Sequence, residues 1–163
     1  MTALTTDVLI LASGKSSRYV SRTKKQKIKI NGISIVDISI SKFLAFKQIR
    51  DIYLVTNDLS LINNSKYKNK IELIKGGSSR AKSVFLGLKY LANKQRPTNV
   101  IIHDVVRPLI DKKDLESLVS CTKSIQTGIG FGYPLTNALK EVGKGGIIKK
   151  NIKKDNYFVS FTP

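Results

Sequence analysis

The chain is short of acid. Eleven Asp and Glu stand against 29 Lys and Arg in 163 residues, a formal charge of +18 with one histidine left neutral. Such an excess raises a nucleic acid or an anionic membrane surface as partner. The lysines, however, are scattered through 24–29, 66–70, 89–96, 112–113 and 149–154. With no single basic helix to carry them, we read most of the charge as solvated surface and keep nucleic acid as the minority reading. Cysteine is nearly absent: Cys121 alone excludes a disulfide framework and a thiolate metal cluster. One histidine, His103, cannot build a zinc site. No stretch approaches membrane-span length, and no charged segment followed by a long apolar one opens the chain. A soluble, cytoplasmic protein is the expectation. There is no internal repeat and no low-complexity segment, and Gly143-Lys144-Gly145-Gly146 reads as a mobile turn.

What is present suits one domain with a core, since 41% of the residues are apolar. Apolar strands are expected at about 7–12, 51–56, 71–74, 99–103 and 128–134. Between them lie three helical spacings: Val36, Ile40, Phe43, Leu44; then Ala81, Val84, Phe85, Leu88, Leu91; then Leu115, Leu118, Val119. This alternation predicts an α/β fold in three layers, a mainly parallel twisted sheet with helices on both faces, in which ligands collect at the carboxyl ends of strands. After Pro134 short extended pieces around 138–142 and 156–161, joined by the glycine turn, predict a projecting β-hairpin.

Three loops follow the strands. The first, Ala12-Ser13-Gly14-Lys15-Ser16-Ser17-Arg18, is succeeded by Lys24-Lys25-Gln26. Small residues and a glycine let backbone N–H groups approach a ligand, and the cations behind them suit the phosphates of a nucleoside triphosphate. Gly14-Lys15-Ser16 only imitates the loop G-x-x-x-x-G-K-[ST], because Leu9 stands where its first glycine belongs. The dinucleotide pattern G-x-G-x-x-G fails at Ser16 and Tyr19. A glycine-softened turn with solvated lysines is the alternative. In the second loop, Gly76-Gly77-Ser78-Ser79-Arg80, glycines at a helix start leave N–H groups for an acceptor and Ser83 adds a hydroxyl; alternatively Ser78 or Ser79 is merely the cap and Arg80 a surface residue. In the third, His103-Asp104-Val105-Val106-Arg107-Pro108, the Asp104 carboxylate at a strand end can hold magnesium, which needs only one or two carboxylates. For His103 a packed, hydrogen-bonded role is favoured.

Together these loops resemble one family, the 2-C-methyl-D-erythritol 4-phosphate cytidylyltransferases of isoprenoid biosynthesis. Its recurrent features are a small-small-Gly-x-x-x-Arg loop with Lys-Gln seven residues on, G-G-x-x-R-x-x-S-V-x-x-G-L, H-D-x-x-R-P and P-[VL]-x-D-T-[IL]-K. Here they read Ala12 to Arg18 with Lys25-Gln26, Gly76 to Leu88, His103 to Pro108 and Pro134 to Lys140. The resemblance implies a Rossmann-like nucleotidyltransferase domain over 1–163, with residues 134–163 as its arm. It implies that CTP and methylerythritol phosphate are joined with release of pyrophosphate.

It also implies roles. Arg18 and Lys25 are the catalytic cations, Lys25 at the α-phosphate and Arg18 toward the leaving pyrophosphate. Ala12, Ser13, Gly14, Gly76, Gly77, Ser78 and Ser83 surround cytosine and ribose, and Asp104 holds Mg²⁺. Arg107, Ala138 and Lys154 lie by the sugar phosphate, and the arm reaches across a twofold homodimer. Several positions depart from the pattern: Lys24 replaces proline, Ser78 aspartate, Val105-Val106 two alanines, Asn137-Ala138 Asp-Thr, and Lys154 an arginine. Phe161-Thr162-Pro163 matches the start of a T-P-Q segment beyond which family chains continue, so a C-terminally truncated domain, or part of a protein fused to a downstream synthase, is expected. The alternatives kept are a cytidylyltransferase for ribitol 5-phosphate or another polyol phosphate, and an inactive nucleotide- or RNA-binding remnant.

Overall fold

The computed structural model describes residues 5–14, 24–94, 97–121 and 128–161. The chain divides into two compact units, one through Thr127 and one from Gly128 to Thr162. In chain order the first unit holds β1 (Thr6–Leu11), β2 (Lys29–Ile30), β3 (Ile33–Ser34), α1 (Ile35–Leu44), β4 (Ile49–Thr56), β5 (Glu72–Lys75), α2 (Arg80–Lys94), β6 (Asn99–Asp104) and α3 (Lys112–Cys121).

Four of the strands form one sheet in the order β5-β4-β1-β6, every pair parallel. All six residues of β1 are buried, as a central strand covered on both faces requires. The chain leaves β1 toward β4 and β5, then returns across the sheet to lay β6 on the other side of β1. Right-handed crossovers made in opposite directions put their helices on opposite faces. Leu9, Leu11, Tyr53, Val55 and Ile74 accordingly pack with Leu91 and Val84 of α2, while on the alternate face His103 meets Phe43 of α1 edge-on, ring centroids 5.1 Å apart. Helices therefore cover both faces, as expected. The link from β4 to β5 is made of two short 3₁₀ turns, Leu59–Leu61 and Lys68–Lys70.

Local signals explain the element ends. Ser34 caps α1 by accepting the Asp37 N–H at 3.0 Å, and Asp37 in turn accepts the Ser65 hydroxyl. Asn31 and Gly32 carry φ of 49° and 79°, the two positive values that a two-residue hairpin between β2 and β3 demands. That hairpin was not among the expected elements, although Asn-Gly is its usual signal. On α2 the buried face runs through Ser83, Gly87 and Leu91, whereas Phe85 and Leu88 of the expected stripe are exposed. Gly87 explains the difference: a Cβ there would stand 2.8 Å from Leu9 Cδ1, so the helix makes its closest approach to the sheet through a residue with no side chain. At the other end of β1, buried Asp7 accepts both Nε and Nη2 of Arg50, at 2.9 and 2.6 Å.

The second unit holds β7 (Phe131–Pro134), β8 (Leu139–Val142), β9 (Ile148–Ile152) and β10 (Phe158–Phe161). β7 pairs antiparallel with β10 and β8 with β9. Two expectations are corrected here. Among the described residues the strand expected near 128–134 is not part of the parallel sheet; its register partner is β10, Phe131 against Phe161. The glycine turn connects β8 to β9 rather than to 156–161: Gly145 and Gly146 adopt φ of 76° and 79°, and Gly143 N–H closes the turn on Ile147 O at 2.8 Å. Each pair is a two-stranded ladder belonging to this unit alone.

Candidate active site

The reversal of strand order leaves a crevice between the carboxyl ends of β1 and β6, where open α/β sheets bind ligands. Leu11 and Asp104 are register partners at that edge. The loop Ala12–Gly14 thus leaves one wall of the crevice and Asp104 ends the other, while Gly76-Gly77 follows β5 at the same edge of the sheet.

Hydrogen bonds weld the first two loops together. Ala12 N–H donates to Val55 O at 2.8 Å, and Gly76 N–H to Thr56 O at 3.2 Å. Ser83, 2% exposed, donates its one hydroxyl hydrogen to Ser79 O at 2.9 Å. Its oxygen accepts Gly77 N–H at 3.0 Å and lies 2.9 Å from Ser13 Oγ in a hydroxyl–hydroxyl hydrogen bond. The glycine N–H groups expected to await an acceptor are therefore engaged inside the protein, and Ser83 acts as the pin between the loops. Glycine is required at 76 for another reason: a Cβ would lie 2.3 Å from Ser13 Oγ and 2.4 Å from Ser13 Cβ. Gly77 has Lys82 Cγ at 2.4 Å from the same construction. Ser79, not Ser78, caps α2, its Oγ accepting Lys82 N–H at 3.1 Å. Ser78 is exposed just ahead of that cap.

Across the crevice Asp104 accepts Arg80 Nε at 3.0 Å, with the arginine side chain 54% and the aspartate 20% exposed. Arg80 thus binds the third loop to the second, a pairing invisible in sequence because 24 positions separate the partners. His103 is fully buried with Nε2 3.3 Å from Ser39 Oγ, the packed role favoured from sequence. Arg107 is exposed, and its N–H closes a turn on Asp104 O at 2.9 Å. Of the two valines after Asp104, Val105 is buried and Val106 is 45% exposed.

Lys25 opens a 3₁₀ turn, Lys25–Lys27. Gln26 within it is buried and donates to Gly14 O, and Lys27 pairs with Asp58 at 3.2 Å just beyond β4. The Ser60 hydroxyl, then Lys27, hold the Asp58 carboxyl below the usual carboxylate range. Arg18 lies outside the described residues. In the second unit Ala138 is exposed ahead of β8, and Lys154 donates to Thr136 O two residues before it.

Residues 6–163 match the 2-C-methyl-D-erythritol 4-phosphate cytidylyltransferase (IspD) family. The chain belongs to that family. It is 31% identical over 165 residues to the 2-C-methyl-D-erythritol 4-phosphate cytidylyltransferase of Thermosipho africanus, covering 95% of this chain and 70% of that protein. It is 30% identical over 162 residues to the one from Vibrio atlanticus, covering 95% and 67%. The crystal structure of the Francisella tularensis cytidylyltransferase superposes with a TM-score of 0.76 at 27% identity, covering 98% of this chain and 70% of that one. The bifunctional IspDF of Campylobacter jejuni shares the fold, with a TM-score of 0.79 at 18% identity over 98% of this chain and 40% of its own. The cytidylyltransferase motifs thus sit on a fold in which three of their loops gather at one sheet edge. Among the described residues no helix is long and apolar enough to cross a membrane.

Proposed function

We propose that this chain transfers the cytidylyl group of CTP to 2-C-methyl-D-erythritol 4-phosphate, releasing pyrophosphate, in the cytoplasm. The observation that carries the reading is the family match over residues 6–163, which includes every loop at the crevice. A phosphate oxygen of the sugar attacks the α-phosphorus, a bond to that phosphorus forms, and the bond to the bridging oxygen breaks as pyrophosphate leaves. Negative charge accumulates on the non-bridging oxygens, so fixed cations are the main catalytic requirement. Lys25 is the cation assigned to the α-phosphate and Arg18 the one assigned to the leaving group. Ser13, Gly14, Gly76, Gly77 and Ser78 flank the base and ribose, with Ala12 and Ser83 fixing the loops behind them.

Asp104 fits magnesium by its chemistry. It is a single, partly exposed carboxylate at the crevice, and Mg²⁺ beside a nucleotide takes one or two carboxylates and fills its remaining positions with phosphate oxygens and water. Held there, Mg²⁺ would supply charge neutralisation to the triphosphate. Arg107, Ala138 and Lys154 are assigned to the acceptor phosphate. We further propose a homodimer formed through the second unit, where Ile147, Ile148, Tyr133 and Phe158 are all more than half exposed. The function is tested by incubating the chain with CTP, Mg²⁺ and either methylerythritol phosphate or ribitol 5-phosphate while pyrophosphate is measured. Release with the first acceptor is expected. Release with ribitol 5-phosphate alone moves the assignment to the polyol phosphate, and CTP binding without release with either leaves a nucleotide-binding remnant. Sedimentation of the same protein tests the dimer.

A further inference from the structure

We propose that Gln26 is a positioning residue for Lys25, an inference that rests on the cytidylyltransferase reading. A carboxamide is seldom buried without a partner. Gln26 is 4% exposed, and its Nε2 donates to the carbonyl of Gly14. The two groups are packed as well as bonded, since a Cβ on Gly14 would stand 3.2 Å from Nε2. This bond ties the turn that carries Lys25 to the loop that leaves β1.

The rest of the turn is fixed to its surroundings. Lys27 N–H donates to Lys24 O at 2.9 Å and Ile28 N–H to Lys25 O at 3.2 Å, while Ile28 O accepts Ile35 N–H at 3.1 Å at the start of α1. Lys27 pairs with Asp58 beyond β4. Those contacts attach the turn to α1 and β4, and Gln26 attaches it to Gly14. Lys25 is one peptide away from Gln26, so its Cα lies about 3.8 Å from that of the anchored residue. The chemistry requires an amide here: a carbonyl acceptor needs a donor, which glutamate lacks when ionised and methionine lacks always. Gln26 touches neither reactant in this account and acts by fixing where Lys25 begins.

The test compares the full chain with Gln26→Met, which keeps length and volume but removes the donor. With CTP, Mg²⁺ and methylerythritol phosphate, kcat is expected to fall about 10- to 100-fold, as a misplaced group costs. The KM for CTP should stay near its parental value, because the interaction at stake is one that strengthens in the transition state. Hydrogen exchange on the ligand-free proteins should show the Lys27 and Ile28 amides exchanging faster in the variant while β1 and β4 are unchanged. An unchanged kcat, or equal exchange at those amides, overturns the proposal. If Gln26→Met does not fold, Asp58→Asn loosens the same turn from its other side and should give the same split at smaller amplitude; its absence overturns the proposal too. A parent that releases no pyrophosphate overturns the functional reading instead, while the exchange comparison still decides whether Gln26 anchors the turn.

Discussion

The two compact units solve opposite problems. The first buries a central strand completely, from Val8 to Ile10 at 0% exposure, by surrounding it with strands on both edges and helices on both faces. The second, Gly128 to Thr162, holds only short strands in two-stranded ladders, and its large apolar side chains stand in the open: Phe158 is 63% and Ile147 71% exposed. Two-stranded ladders of this size are marginal in water without another surface to pack on. The first unit can therefore fix a site by its own packing, whereas the second depends on what covers it. This contrast is the physical ground for proposing nucleotide chemistry on the first and association on the second.

The strongest way to break the first unit is away from its site. Arg50→Ala leaves the Asp7 carboxylate buried and uncompensated, and should cost about 3–5 kcal/mol, toward the lower figure because the arginine is partly exposed. Urea unfolding measures the loss. Asp7 lies about 13 Å from the Leu11 end of β1, where the crevice opens, so turnover of the folded fraction should not change. Lys25→Ala should do the reverse, lowering kcat by about 10²- to 10³-fold at an unchanged urea midpoint. Equal turnover in mutant and parent would remove Lys25 from its role.

Gly76→Ala should do some of each. Ser13 is too short to fold away from the new methyl group, so the two loops must separate at a cost of about 1–3 kcal/mol, and CTP should bind more weakly by calorimetry. In the second unit Ile148→Lys should change stability by no more than about 0.5 kcal/mol, while sedimentation at matched concentration shifts toward monomer. A larger loss of stability would show that this side chain is part of a core.

The smallest effect concerns acid. Hydrogen bonds from Lys94 and Tyr90 hold the Glu72 carboxyl below its ordinary value of 4.5. A carboxyl lowered on folding contributes stability that is fully present above the unfolded value and is lost as pH falls through the folded one. Thermal midpoints of parent and Glu72→Gln should therefore differ slightly near neutrality and converge once the pH drops below the carboxylate range.

How far the sequence could be read follows the same division. The run Val8-Leu9-Ile10-Leu11 announced a fully buried strand, and the residues after β1, β5 and β6 lie where the fold puts ligand loops. On α2 the expected stripe holds at Val84 and Leu91 but not at Phe85 and Leu88, because the contact face also runs through Ser83 and Gly87, which carry little hydrophobic signal where backbones come closest. In the second unit the glycine turn was legible, and β7, β8 and β10 lie within the expected extended pieces, but β9 and the pairing of the strands were not. Lys140, Glu141, Lys149 and Lys150 alternate with too little apolar contrast to specify a register. At the site, residue types point to the family, yet hydrogen-bond partners could not be assigned from them. Which N–H groups are engaged, and that Arg80 reaches Asp104, depend on distances between segments far apart in the chain.

The crevice also has a date of manufacture. Its two walls, β1 and β6, are joined across 93 positions, as the Thr5–Thr98 hydrogen bonds mark. At ribosomal speeds, the second wall emerges roughly 5–20 s after the first. During that interval β1 can pair with β4 on one side while its other edge stays open, the state most exposed to wrong partners. The crevice is thus the last seam of the sheet to close, and variants that weaken β6 should reveal themselves first as poor yield during synthesis.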